Sequence, residues 1–272
     1  MAFTKDPREH LLNERYVFLT PIGSGGFSKV YKAYCTQNLE TVAIKRMKTS
    51  LVESFDLVGE EFIPSELSIL RKLQKIKYVI RIKECIESEK FFYLVFEKPK
   101  NFIDLFWYID SRFRLEEQVA RRIFRNIVVA IKLIHESGVI HRDVKDTNIL
   151  VNPNSLAVKI IDFGLSSFTP VRHETKFVGT RSYAPPEWVQ YRRYDPIKAE
   201  CFALGWTLFV MIEGDNPFNT RNRVCSGNIE FNILSTSEPC RNLLRRLLNV
   251  NPETRPLPID ILRSDWMRSQ PQ

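Results

Sequence analysis

The sequence predicts an α+β chain of two lobes: a small, mostly β unit of five strands and one helix, then a larger helical unit. Three observations carry this. Short β-rich runs recur between residues 16 and 96. A single helical repeat, Leu67, Leu70 and Leu73, interrupts them. Beyond Glu97-Lys98-Pro99-Lys100 the apolar spacing becomes helical. At 272 residues the chain has room for one large domain or two lobes with substantial cores.

In order, residues 1–15 are charged and read as a loose lead-in. Tyr16-Val17-Phe18-Leu19 is the first strand and leads to a Gly-rich turn. Val30, Tyr31, Ala33 and Tyr34 mark the second, and Val42-Ala43-Ile44 the third. Lys48 to Phe62 reads as a connector. Pro64-Ser65-Glu66 opens the helix, where Pro suits a first turn. Val79 to Ile86 and Phe91 to Phe96 complete the strands. The small lobe then covers 16–97, residues 97–100 form a hinge, and the large lobe runs over 101–266. There, Val119, Ile123, Ile127, Ile131 and Ile134 lie on one helical face, and Gly138 stops that helix. Leu204 to Met211 and Leu243 to Leu248 are further helices.

Composition narrows the class. Hydrophobic residues at 44% and charged residues at 26% are ordinary for a globular protein. The +8 formal charge is spread without a Lys/Arg block, so no nucleic-acid partner is expected. Cys35, Cys85, Cys201, Cys225 and Cys240 form no CxxC pair and are expected to be mostly buried thiols in a reducing compartment. The start, MAFTKDPREH, lacks the apolar stretch of a secretory signal. The longest apolar run, Ala203 to Ile212, is about half a membrane span and reads as a buried helix, so no membrane association is expected.

The chemistry concentrates in His141-Arg142-Asp143-Val144-Lys145-Asp146-Thr147-Asn148 and in Asp162-Phe163-Gly164. A lone Asp in a loop is ordinary turn polarity. Here Asp143 is followed after two residues by Lys145 and after five by Asn148, and a second Asp precedes a Phe-Gly turn. Phosphoryl transfer from ATP needs this set: a carboxylate to orient a hydroxyl (Asp143), a cation near the migrating phosphate (Lys145), and an amide with a carboxylate on Mg²⁺ (Asn148, Asp162). His141 reads as a structural residue, and Arg142 as an anchor for the segment after Asp162.

Gly23-Ser24-Gly25-Gly26-Phe27-Ser28-Lys29-Val30 lies between two strands, where Gly-rich backbone can approach phosphates. Alone it equally fits a plain hairpin. No helix follows it, which argues against a dinucleotide-binding oxidoreductase. Lys45, on the third strand, is expensive to bury unless paired, and Glu66 is the natural partner. Pro185-Pro186-Glu187 and Arg255 suggest a buried ion pair in the large lobe.

Taken together, these motifs resemble the eukaryotic protein kinases, in family order over Tyr16 to Trp266. The resemblance implies the bilobal protein kinase fold, with the Glu66 helix as helix C. It also implies ATP and Mg²⁺ as cofactors and protein substrates. Lys145 and Gly179-Thr180 look like the serine/threonine branch, in which Thr180 bridges toward Asp143 and Lys145. GSGGF at 23–27, EKP at 97–99, DLF at 104–106, HRDVKD at 141–146, GTR at 179–181 and PPEW at 185–188 are most similar to the Pim kinases. By that resemblance the Glu97 carbonyl accepts from the adenine amine. Ile22, Val30, Ala43, Phe96, Leu150 and Ile161 sandwich the ring. Pro99 has no N–H to add a second hydrogen bond, so weaker ATP binding is expected.

Some positions depart from the pattern. Ser28 replaces the third glycine of the loop. Thr147 and Trp107 stand where Pim kinases carry acids that read substrate Arg. Lys176 stands where many kinases carry an activating phosphothreonine, with Thr175 and Glu174 beside it as partial substitutes. Glu200 stands near an Asp that supports the catalytic loop in most kinases. These departures motivate an alternative, a catalytically weak or inactive kinase-fold binding protein. The chain is expected to be a monomer in the cytoplasm, with the nucleus as a further possibility.

Overall fold

The computed structural model describes residues 7–25, 28–170, 174–218, 221–231 and 236–268. Among these the chain divides into two compact units. The first runs to Lys75 and resumes over Ile80–Lys100; the second takes Ile76–Val79 and everything from Asn101 onward.

The first unit is built on an antiparallel sheet of β1 (Tyr16–Ser24), β2 (Ser28–Cys35), β3 (Thr41–Lys48), β6 (Ile82–Glu87) and β7 (Phe91–Glu97), ordered β1-β2-β3-β7-β6. Side chains alternate between faces, so Val42 and Ile44 of β3 join Ala33, Cys35, Tyr93 and Val95 in one buried cluster. The expected loose lead-in is instead a helix, α1 (Pro7–Arg15), with Pro in its first turn. Leu12 enters the same cluster, and Arg15 forms two 2.8 Å hydrogen bonds to Glu84. One buried side chain and one forked ion pair fasten a segment whose composition alone suggests no order.

The expected connector after Lys48 also has structure. A short 3₁₀ turn (Thr49–Leu51) leads to a hairpin of β4 (Phe55–Val58) and β5 (Glu61–Pro64). Helix α2 (Ser65–Leu73) follows directly and buries Leu67, Ile69, Leu70 and Leu73. The strand expected from Val79 begins only at Ile82, because Val79 makes a parallel bridge to Ile160 and belongs to the second unit.

The second unit is mostly helical: α3 (Leu105–Asp110), α4 (Glu117–Glu136), α5 (Pro186–Tyr191), α6 (Pro196–Glu213), α7 (Arg221–Ser226), α8 (Glu238–Leu247), α9 (Pro258–Leu262) and α10 (Asp265–Arg268). Small antiparallel pairings link β8 (Ile103–Asp104), β10 (Ile149–Val151) and β11 (Val158–Ile160), and β9 (Val139–Ile140) with β12 (Ser167–Phe168). Ile123, Ile127, Ile131 and Ile134 of α4 are fully buried. Gly138, with φ of 72°, follows the helix end in the left-handed region. Helix α6 is capped by Asp195, whose carboxylate accepts from the Ile197 and Lys198 N–H groups. At Gly205 a Cβ would lie 2.6 Å from the Leu247 Cβ, so only glycine lets α6 approach α8 this closely.

Among the described residues no helix is long and apolar enough to cross a membrane. All five cysteines are free; Cys35, Cys201 and Cys240 are buried, and burial pushes the Cys201 thiol up to about 12.

Candidate active site

In the first unit, β3 places Lys45 on the sheet face opposite the Val42–Ile44 cluster. Strand register puts Val30 and Leu94 directly across from Lys45, and Phe96 across from Ala43. Val30, Ala43, Lys45 and Phe96 therefore share one face. The first turn of α2 carries Glu66, and Lys45 Nζ donates to both its carboxylate oxygens at 2.8 Å. Both side chains are nearly buried, so each charge needs the other.

Ile22, Gly23 and Ser24 end β1, with Ile22 exposed. The Gly25 N–H donates to the Ser28 carbonyl at 2.9 Å, which draws the loop closed. Gly26 and Phe27 lie outside the described residues. Glu97 ends β7, and its side chain accepts from the Arg81 N–H at 3.0 Å.

In the second unit a short irregular loop runs from β9 to a 3₁₀ turn (Asp146–Asn148) that feeds β10. Asp143 Oδ1 accepts from the Thr180 N–H at 2.9 Å and the Thr180 hydroxyl at 2.6 Å. Its Oδ2 accepts from Asn148 Nδ2 and from Lys145 Nζ, each at 2.8 Å. Lys145 Nζ also donates to Thr180 Oγ1 at 2.6 Å, so that hydroxyl is donor and acceptor at once. Asp143, Lys145, Asn148 and Thr180 thus form one closed network. Asn148 Nδ2 also donates to the Asp143 carbonyl, which commits the amide nitrogen and leaves its oxygen for other partners.

The Ile161 N–H donates to the Asn148 carbonyl at 3.0 Å, bringing the backbone beside Asp162 alongside Asn148. Asp162 itself has φ of 61°, a left-handed turn. Leu150 lies in β10, half-buried, and Ile161 just past β11, half-buried.

His141 is fully buried. Its Nε2 donates to the Ile161 carbonyl at 3.0 Å and its Nδ1 accepts from the Asp143 N–H at 3.3 Å, which defines a neutral tautomer. Its ring stands edge-on to buried Phe163. Both nitrogens are occupied, so it positions the loop and is not a base.

The protein kinase domain family matches residues 16–267 of this sequence. The chain belongs to the protein kinase family. Its relatives include serine/threonine-protein kinase pim-2 of Danio rerio, 34% identical, with 97% of this chain and 87% of that protein covered. Serine/threonine-protein kinase prk-2 of Caenorhabditis elegans is 31% identical over 94% of this chain and 59% of its own length. CBL-interacting protein kinase 2 of Oryza sativa subsp. japonica is 33% identical over 97% of this chain and 60% of its own. The kinase thus spans less than two thirds of the latter two. Members of the family use ATP with a divalent metal and act on proteins.

Glu200 of the kinase takes up a bracing position. Its Oε2 accepts from the Arg142 N–H at 2.6 Å and its Oε1 from His135 Nε2 at 2.7 Å, so a fully buried acid from α6 spans α4 and the catalytic loop. Burial works to raise its carboxyl. Hydrogen bonding and charge from His135 and the hydrogen bond from the Arg142 N–H outweigh that and hold it below the usual carboxylate range. Its ionised form therefore stabilises the fold above the unfolded-state value, about 4.3, and that stabilisation is lost as pH falls through the lower folded value. Urea unfolding from neutral pH into the acid range is expected to give a shallower loss of stability for Glu200→Gln than for wild type. Parallel curves would contradict this role.

Arg142 is largely buried, which lowers its guanidinium below its usual value, and it pairs with Glu174. Glu174 is also held by backbone hydrogen bonds in both directions with Tyr194 and by the Tyr194 hydroxyl at 3.1 Å. Tyr194 accepts from the Val178 N–H as well, at 3.2 Å. Sequence reasoning singled out Glu174 but not Tyr194, whose contacts all come from residues 16 to 20 positions away and leave no local signal.

Proposed function

We infer that this kinase is a serine/threonine protein kinase that transfers the ATP γ-phosphate to Ser and Thr hydroxyls of proteins. The observation that carries this is the closed network of Asp143, Lys145, Asn148 and Thr180. In this reading Asp143 orients the acceptor hydroxyl and takes its proton as the new O–P bond forms and the bond to the ADP leaving group breaks. Lys145 balances negative charge at the migrating phosphoryl group. Thr180 fixes both side chains through its single hydroxyl. Lys45, held by Glu66, takes the α/β-phosphates, and the Gly-rich loop at 23–27 covers them. The apolar sheet face of Val30, Ala43 and Phe96, with Ile22, Leu150 and Ile161, takes the adenine ring, and the Glu97 carbonyl accepts from its amine.

The metal is proposed to be Mg²⁺, held by the Asn148 amide oxygen and the Asp162 carboxylate. One amide and one carboxylate, completed by water and phosphate oxygens, suit a small hard cation. Among the described residues no group of three or more His, Cys, Asp or Glu side chains could hold a metal without such help. The bound metal would neutralise phosphate charge.

Thr147 and Trp107 are both exposed and uncharged, and a preference for Arg-rich substrates is not proposed. The test is incubation with labelled ATP, Mg²⁺ and peptide libraries whose acceptor is Ser, Thr or Tyr. Label is expected on Ser and Thr, with no strong gain from Arg before the acceptor. Label confined to Tyr, or none above an Asp143→Asn control, would overturn the reading. Lys45, Glu66, Asp143, Lys145, Asn148 and Asp162 are all present, and no observation favours the inactive alternative.

A further inference from the structure

The hairpin β4–β5 exposes an apolar face that the kinase reading leaves unused. Its turn is Gly59-Glu60, with Gly59 at φ of 65° as a tight hairpin requires. Register sets Phe55 opposite Pro64 and Leu57 opposite Phe62, so these four share one face. The other face turns Ile63 inward, 7% exposed. On the first face Leu57 is 61% and Phe62 71% exposed, and Phe55 stands at 40% against Phe92. Large apolar side chains paired across strands and left in water mark an interaction surface more often than a folding device. The hairpin is also a two-stranded sheet by itself.

Charge says what covers it. Between Leu51 and Pro64 the sequence holds Glu53, Asp56, Glu60 and Glu61 and no Lys or Arg, although the whole chain carries +8. Glu53, Glu60 and Glu61 are exposed and, among the described residues, form no ion pairs. An acidic rim repels nucleic acid and anionic lipid surfaces and attracts a basic polypeptide. We propose that the β4–β5 hairpin docks a short segment of a partner protein, one that sets large apolar side chains on Leu57 and Phe62 and Lys or Arg against Glu53, Glu60 and Glu61.

The hairpin that would dock the segment runs directly into helix α2. The Ser65 N–H donates to the Ser54 carbonyl at 3.1 Å and Ser65 Oγ to Asp56 Oδ1 at 3.0 Å, so the hairpin is stapled to the helix that carries Glu66.

The test uses the full chain. A display library of short random peptides is selected on it, and the enriched peptide is synthesised with a fluorophore and titrated by anisotropy. Wild type is compared with Leu57→Ser/Phe62→Ser and with Glu60→Lys/Glu61→Lys. The expected peptide combines large apolar residues with Lys or Arg, and each double variant weakens it by about tenfold or more, as loss of a central anchor or a complementary rim does. The second variant changes only exposed side chains, so its result does not hinge on folding. An acidic consensus, no enrichment, or equal affinity for all three proteins would overturn the proposal. So would concentration-dependent dimerisation of wild type that the Leu57→Ser/Phe62→Ser variant loses, because the occupant would then be a second copy.

Discussion

Replacing Asp143 by Asn is expected to slow phosphoryl transfer by about 10²–10⁴-fold, the usual contribution of a positioned general base. The substitution keeps size and shape. It removes the one negative charge among Lys145 Nζ, Asn148 Nδ2 and the two Thr180 donors. An Asn has a single acceptor oxygen, so on one side its amide N–H groups must meet donors. Lys145 keeps its hydrogen bond to Thr180 but loses its counter-charge. The measurement is the initial rate with labelled ATP and a Ser/Thr peptide library, beside a melting curve to separate chemistry from unfolding. A rate within tenfold of wild type, in a variant that melts normally, would remove Asp143 from the role assigned to it.

Truncating Glu187 is expected to destabilise the kinase by about 3–5 kcal/mol, the usual loss when one member of a buried ion pair is removed. Arg255 donates to both Glu187 oxygens, at 2.8 and 2.6 Å, and its side chain is fully buried. With Glu187→Ala the guanidinium would remain in the interior without a counter-ion. Arg255→Ala is expected to be at least as damaging. Arg255 also donates to the carbonyls of Asn249, Lys198 and Val250 and lies over the Phe202 ring, so its removal orphans several acceptors and opens a void. A loss of this size is a large share of the 5–15 kcal/mol that holds a typical protein folded. Urea unfolding of the two variants checks both size and order; a loss below about 1 kcal/mol for either would mean the pair is dispensable.

Much of this molecule was legible because its chemistry is encoded in short runs. Asp143, Lys145 and Asn148 lie within six positions, and the turn between them closes locally, so spacing predicts the network. Glu187 and Arg255 are far apart but each sits in a recognisable setting, Pro-Pro-Glu and Asn-Pro-Glu-Thr-Arg-Pro. The hairpin at 55–64 was missed for the opposite reason. Leu57-Val58 and Phe62-Ile63 are adjacent apolar pairs among acids, which blurs the two-residue period that marks a strand. Helix α1 was missed because one apolar anchor, Leu12, sits in a charged run, and only the sheet it packs on reveals its use. The clasp of Glu174 by Tyr194 arises from side chains converging across a long separation, which no local window contains.

The Arg142–Glu174 pair has a consequence for how the molecule could be switched. The negative charge that steadies Arg142 is installed at translation, as a carboxylate already clasped by Tyr194. At that position a phosphatase has nothing to strip away, and an upstream enzyme need add nothing.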